Sequence, residues 1–189
     1  EWLYQLLSPT LHVTRSPKSY NSQVGVPLSV CLLGEHSEIG IFEAGISQPG
    51  EMAALRAIIQ PTIGVMTNIG PAHQENFESV EEKCHEKLSL FQDAKVLVYC
   101  ADDAVVDECV ATSLLRGERL AWSRRNPSAA LFVSAVETLE RGTRITYRFH
   151  GAEAAMTIPF TDEASTVNCI HCLAVLLSLN FSAEEIANR

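Results

Sequence analysis

Apolar positions along the first two-thirds of the chain follow two alternating rhythms. Short runs at residues 11–14, 38–43, 62–68 and 95–100 read as strands, and the segments between them, 26–33, 51–59, 79–91 and 102–115, read as helices. In the segment 79–91, Val80, Cys84, Leu88 and Phe91 step by four, four and three, which predicts one buried helix face. The run Ile63-Gly64-Val65-Met66 is apolar throughout rather than alternating, as in a strand covered by helices on both sides. Strand and helix in alternation predict parallel pairing through right-handed crossovers.

The pattern changes after Ala121. Residues 131–136, 144–149 and 154–158 read as consecutive strands, with turn signals at Arg141-Gly142 and His150-Gly151. Arg144, Thr146 and Arg148 alternate with Ile145, Tyr147 and Phe149, which predicts an antiparallel sheet wet on one face. Two helices follow, at 162–179 and from Ser182, where Ser182-Ala183-Glu184-Glu185 spells a capping box. The expected fold is a single α/β domain: a mostly parallel sheet flanked by helices over 1–120, a small antiparallel β appendage over 121–160, and closing helices over 161–189.

A length of 189 residues and 20.7 kDa suits one domain that buries about 70% of its extended-chain surface. Fourteen Lys and Arg against 23 Asp and Glu give a net charge of −9, which argues against nucleic-acid or anionic-membrane partners. Any anionic ligand would have to be held by metal ions or local backbone donors. No apolar run approaches the ~18 residues of a membrane span, and the first residues carry no signal-peptide pattern. The six cysteines lie scattered through apolar stretches, which predicts reduced, mostly buried thiols and a cytoplasmic protein. The chain opens inside a helical pattern, Glu1 to Leu7, so a preceding segment is expected.

Three places carry candidate chemistry. Glu43 closes the run Ile39-Gly40-Ile41-Phe42, the segment Thr67-Asn68-Ile69-Gly70-Pro71-Ala72-His73 follows Ile63 to Met66, and Lys87 stands fourteen residues after His73. Ligands of open α/β sheets collect beyond the carboxyl ends of the strands, where a carboxylate and an imidazole suit Mg²⁺ or Mn²⁺ beside a phosphate. Each residue also has an ordinary reading. Glu43 could be a solvated carboxylate and His73 a structural hydrogen-bonder. Lys83 and Lys87, flanked by Glu82 and Glu86, read as a charged, solvated helix face. Cys169-Ile170-His171-Cys172 sits inside a helical pattern without a second ligand pair and reads as buried small side chains.

Several of these strings together resemble one family. Phe42-Glu43-Ala44-Gly45-Ile46-Ser47-Gln48-Pro49-Gly50-Glu51-Met52 resembles the E-x-G-x-x-x-x-G-E segment of the Mur ligases. The residues from Thr67 to His73 resemble that family's N-x-x-x-x-H motif, and Lys87 falls at its carbamylated lysine. Upstream, the residues from Ser16 to Pro27 resemble the segment before the second strand, and Thr166-Val167-Asn168-Cys169 resembles the helix start that meets adenine. The wording around Glu43 is closest to the branch that adds D-alanyl-D-alanine. The alternatives are a folylpolyglutamate- or cyanophycin-type ligase, or a non-catalytic binding module.

The resemblance implies the P-loop NTPase-like central domain of an amide-bond ligase in peptidoglycan synthesis. Such an enzyme passes the γ-phosphoryl group of ATP to UDP-N-acetylmuramoyl tripeptide and lets D-alanyl-D-alanine attack the acyl phosphate. By resemblance Glu43, His73 and a carbamate on Lys87 would hold Mg²⁺, with His73 and Lys87 as catalytic residues. Asn68 and Asn168 would meet the nucleotide, and Asn21 and Ser22 would face the muramoyl-peptide side. Some members are fused to an alanine racemase. Two departures stand out: no G-x-x-G-K-[ST] loop occurs here, and the family's H-N pair is replaced by Ala164-Ser165. The resemblance therefore implies that this chain follows that loop, lacks the family's N- and C-terminal domains and does not turn over ATP alone.

Overall fold

The computed structural model describes residues 1–189. Eight strands and seven helices alternate as expected in the first half: α1 (Trp2–Leu7), β1 (Val13–Arg15), α2 (Gly25–Val30), β2 (Ile39–Ile41), α3 (Glu51–Ile59), β3 (Ile63–Met66), α4 (Val80–Ser89), β4 (Val96–Cys100) and α5 (Ala104–Thr112). Then come β5 (Glu118–Ser123), β6 (Leu131–Leu139), β7 (Gly142–Phe149), β8 (Ala152–Ile158), α6 (Glu163–Ser178) and α7 (Ala183–Ala187). The Ser182 capping box forms with both of its reciprocal bonds.

The strands make two sheets. β1 and β2 pair in parallel, and the other six run β3-β4-β5-β6-β7-β8. From β3 to β6 the pairing is parallel; β6-β7 and β7-β8 are antiparallel hairpin partners. The antiparallel strands thus continue the main sheet, joined to it by only two residue pairs, Trp122 with Leu131 and Ser123 with Phe132.

β5 is a strand that the sequence pattern does not announce. Its first two residues are exposed and charged, and only Leu120, Trp122 and Ser123 are buried. Pairing with β4 along five residues makes the strand, so tertiary context overrides a weak local signal.

A main core of 16 residues lies between the six-stranded sheet and α6, including Trp122, Leu131, Ile145, Tyr147 and Ile170. A second core joins α4 and α5 to β3 and β4, and a third, of six residues, seats α2 and α3 around Ile46. His171 fastens α6 to the end of β3. Its Nδ1 lies 3.0 Å from the Val167 carbonyl and its Nε2 3.1 Å from that of Met66. Burial pushes its pKa down against the pull of those two carbonyls, favouring the neutral ring.

Three expectations need correction. Val80 is 38% exposed, because α4 begins at that residue and its first turn reaches beyond the core. Lys83 is not a solvated charge but is 2% exposed. Of the six cysteines only Cys84 and Cys109 are fully buried and Cys31 is exposed, although all six are free thiols. No helix is long and apolar enough to cross a membrane.

Candidate functional site

Beyond the C-terminal ends of β2 and β3 opens a crevice of about 640 Å³. Its walls come from four chain segments distant in sequence: the loop before α2, the loop between β2 and α3, the loop after β3, and one face of α4. Glu43, Asn68, His73 and Lys87 all line it, together with Asn21 and Ser22. Asn168 does not; it is exposed on α6.

Each wall is shaped by local chemistry. Asn21 reaches across to Glu43, its Nδ2 donating to Oε1 at 3.0 Å, while its carbonyl accepts from Gly45 N at 2.7 Å. A side chain at Gly45 would start 3.1 Å from that carbonyl oxygen, so the close approach of the two loops favours glycine there. Ser22 Oγ accepts from Gly25 N at 3.1 Å and helps start α2. Glu43 itself is exposed to the crevice.

Two further acids of the motif region build the scaffold. Glu51 accepts from Ser47 N at 2.6 Å, Ser47 Oγ at 2.7 Å and Gln48 N at 3.1 Å. Burial acts to raise the Glu51 pKa, but those three hydrogen bonds outweigh it and hold the carboxyl below its ordinary range. Glu86, from α4, accepts from Gly50 N at 2.9 Å and Met52 N at 3.0 Å, capping α3 from a neighbouring helix.

His73 sits at the end of the loop after β3, with φ +59°, left-handed for a non-glycine residue. A single 3₁₀ turn, Gln74–Asn76, follows, and Asn76 Nδ2 donates to the Ser47 carbonyl at 2.8 Å. Lys87 is half-buried, its Nζ 3.4 Å from the Asn68 carbonyl. Burial first, and then the charge of Lys83, lower the Lys87 pKa; Cys84 and Glu43 oppose this more weakly. Lys83 Nζ donates to the Gly70 carbonyl at 2.7 Å and also to that of Ala72. Spacing reads Lys83 as a solvated charge, and Glu51 and Glu86 carry no candidate role in the sequence, yet all three build the site. The only available signal for Lys83 was its position one turn before Lys87.

The protein side chains alone do not close a three-ligand cluster of His, Cys, Asp or Glu for a metal ion. What the crevice offers is one free carboxylate edge, one imidazole and one amine that its surroundings push toward the neutral form. That set suits a cation only when the amine becomes an acid and a ligand supplies further oxygens.

An α/β sheet whose strand ends open on such a crevice is a ligand-binding domain of the open-sheet class. The chain belongs to the Mur ligase family: residues 1–176 match the Mur ligase middle domain. It is similar to UDP-N-acetylmuramoyl-tripeptide–D-alanyl-D-alanine ligase of Bacillus subtilis (strain 168), 24% identical over 193 residues covering 99% of this chain and 40% of that protein. The ligase of the same name from Mycobacterium tuberculosis (strain ATCC 25618 / H37Rv) is 28% identical over 186 residues, covering 96% of this chain and 36% of that one. Among solved structures, MurF ligase from Thermotoga maritima in complex with ADP superposes with a TM-score of 0.82 at 22% identity, over 99% of this chain and 44% of that chain. This chain spans about two-fifths of the length of these curated relatives.

Proposed function

We propose that the chain is the middle domain of an ATP-dependent ligase that joins D-alanyl-D-alanine to UDP-N-acetylmuramoyl tripeptide, in the cytoplasmic stage of peptidoglycan synthesis. One observation carries the reading: Glu43, His73 and Lys87, each on a different element, line a single crevice at the strand ends. The similarity to UDP-N-acetylmuramoyl-tripeptide–D-alanyl-D-alanine ligases over nearly the whole chain supports the choice of substrates.

Joining a carboxylate to a triphosphate crowds anions together, and a protein of net charge −9 needs bound cations to allow it. Mg²⁺, when bound, supplies that charge neutralisation. Glu43 would hold one ion beside the phosphates, steadied by Asn21. His73 and Lys87 would hold a second, near the substrate carboxylate.

For this role Lys87 must be an acid. A neutral amine adds CO₂ through a new N–C bond as one C=O π bond opens onto oxygen, and one amine proton passes to solvent water, leaving a carbamate of charge −1. Burial and the Lys83 charge, by lowering the Lys87 pKa, favour the neutral amine this step requires. Asn68, beside Lys87, would meet the nucleotide, and Ser22 and Asn21, which line the same crevice, would meet the muramoyl peptide. Asn168 would meet the adenine from outside the crevice.

The test is an assay of the complete ligase carrying this domain. Phosphate release should require both UDP-N-acetylmuramoyl tripeptide and D-alanyl-D-alanine. Release driven instead by a folate and glutamate would replace this reading with the folylpolyglutamate type. The 189-residue chain alone, which contains no G-x-x-G-K-[ST] loop, should release none.

A further inference from the structure

Lys83 is the one charged side chain that this fold takes almost completely out of water, at 2% exposure. Burying an ammonium is costly unless its protons find acceptors. Lys83 makes no ion pair; its acceptors are two backbone carbonyls, those of Gly70 and Ala72. Both belong to the stretch 67–73, which lies in neither helix nor strand and ends at His73 in the left-handed region. A non-glycine residue there is strained relative to ordinary backbone, so the surroundings must hold it. On the far side Asn76 ties the turn to Ser47. On the near side the carbonyls of residues 68, 70 and 72 all face α4, where Lys87 meets the first at 3.4 Å and Lys83 meets the other two.

We propose that Lys83 is a positioning residue: its buried ammonium ties down the Gly70 and Ala72 carbonyls and so fixes the turn that presents His73 to the crevice. The two lysines of α4, one turn apart, then do different work. Lys83 donates to two carbonyls of the loop backbone, whereas Lys87 has a single long contact and remains available for chemistry. Neither Arg nor Met reproduces this fully. The guanidinium is larger and planar, and the thioether fills the space without donating.

Amide exchange on the 189-residue chain tests the tether itself. Lys83→Met should speed exchange across residues 68–76 about tenfold or more, while β4 exchanges as before, and Lys83→Arg should restore part of the protection. Unchanged exchange across 68–76 in Lys83→Met overturns the proposal. Should that variant fail to fold, ¹⁵N-lysine spectra of the unaltered chain decide. One ammonium group whose protons exchange far more slowly than those of surface lysines, and which disappears in Lys83→Arg, is expected; uniformly fast exchange overturns the tether.

The link to catalysis rests on the ligase reading. In the complete enzyme, Lys83→Met should lower kcat and raise the Mg²⁺ concentration needed for half-maximal rate about tenfold, with the KM for D-alanyl-D-alanine changed less than about twofold. A loss of thermal stability with an unaltered Mg²⁺ requirement would mean a packing role only and overturns it. An unaltered enzyme inactive on these substrates defeats the ligase reading instead, and leaves the exchange result to stand or fall separately.

Discussion

Lys87 shows how a single amine is prepared by what surrounds it. Its pKa is lowered in the fold, first by burial and then by Lys83, relative to an ordinary lysine near 10.5. The unfolded chain therefore binds more protons than the folded one between the two values, and stability rises with pH across that window. Below it the amine carries its full penalty. Lys87→Met should accordingly raise the Tm of the chain at about pH 7 in CO₂-free buffer, and the gain should shrink as pH approaches the ordinary lysine value. A Met variant that is less stable at neutral pH would show that the amine is satisfied rather than strained. Neighbouring residues explain why only part of this was legible in the sequence. Glu43, His73 and Lys87 stand out by residue type and by motif spacing. Lys83 does not, because Glu81, Glu82, Glu86 and Lys87 surround it with charge, and helical periodicity cannot distinguish a charge facing water from one facing a loop folded back from residues 70–72.

Helices α3 and α4 are coupled by one carboxylate. Glu86 accepts two backbone N–H groups at the start of α3, which has no side-chain cap of its own and whose N-cap is Gly50 with φ +88°. Glu86→Ala should cost about 1 kcal/mol, as for loss of a helix cap, and lower the Tm by ~2–4 °C in a chain of this length. Thermal melts in parallel with Glu86→Gln check it, and an unchanged Tm in the Ala variant would assign the cap to water. His171 plays a comparable part between α6 and β3. The neutral ring has one N–H for the two carbonyls it faces, so His171→Leu leaves one of the Val167 and Met66 carbonyls without that donor, and a loss of roughly 1–3 kcal/mol is expected by urea denaturation. Because burial lowers the His171 pKa, its protonation favours the unfolded chain. The unaltered protein should lose stability as pH falls below the ordinary histidine range, and His171→Leu should lose less over the same interval. The helical half of this framework was readable from spacing: residues 51–59 match α3 end to end, and the Ser182 capping box forms as spelled. β5 was not readable, because two charges open it and its identity comes from its neighbour β4.

Across the molecule the crevice lies where cores of unequal size meet. The 16-residue core under α6 supports β5 to β8, whereas α2, α3 and Ile46 rest on a cluster of only six. The wall carrying Asn21 and Glu43 is thus the less anchored one. Amide exchange should show residues 17–60 opening before β4, β6 and β7, and equal protection throughout would contradict that ranking. Such a wall can adjust around a ligand while α4 and the tethered loop keep His73 and Lys87 in place. The joint role of the three side chains is most sharply examined by Lys87→Ala in the complete ligase, assayed for D-alanyl-D-alanine addition with and without small carboxylates such as acetate. A carbamate ligand predicts a rate loss of about 10²-fold or more and partial recovery when free carboxylate fills the vacated space. Full activity of Lys87→Ala would contradict the proposed metal site outright.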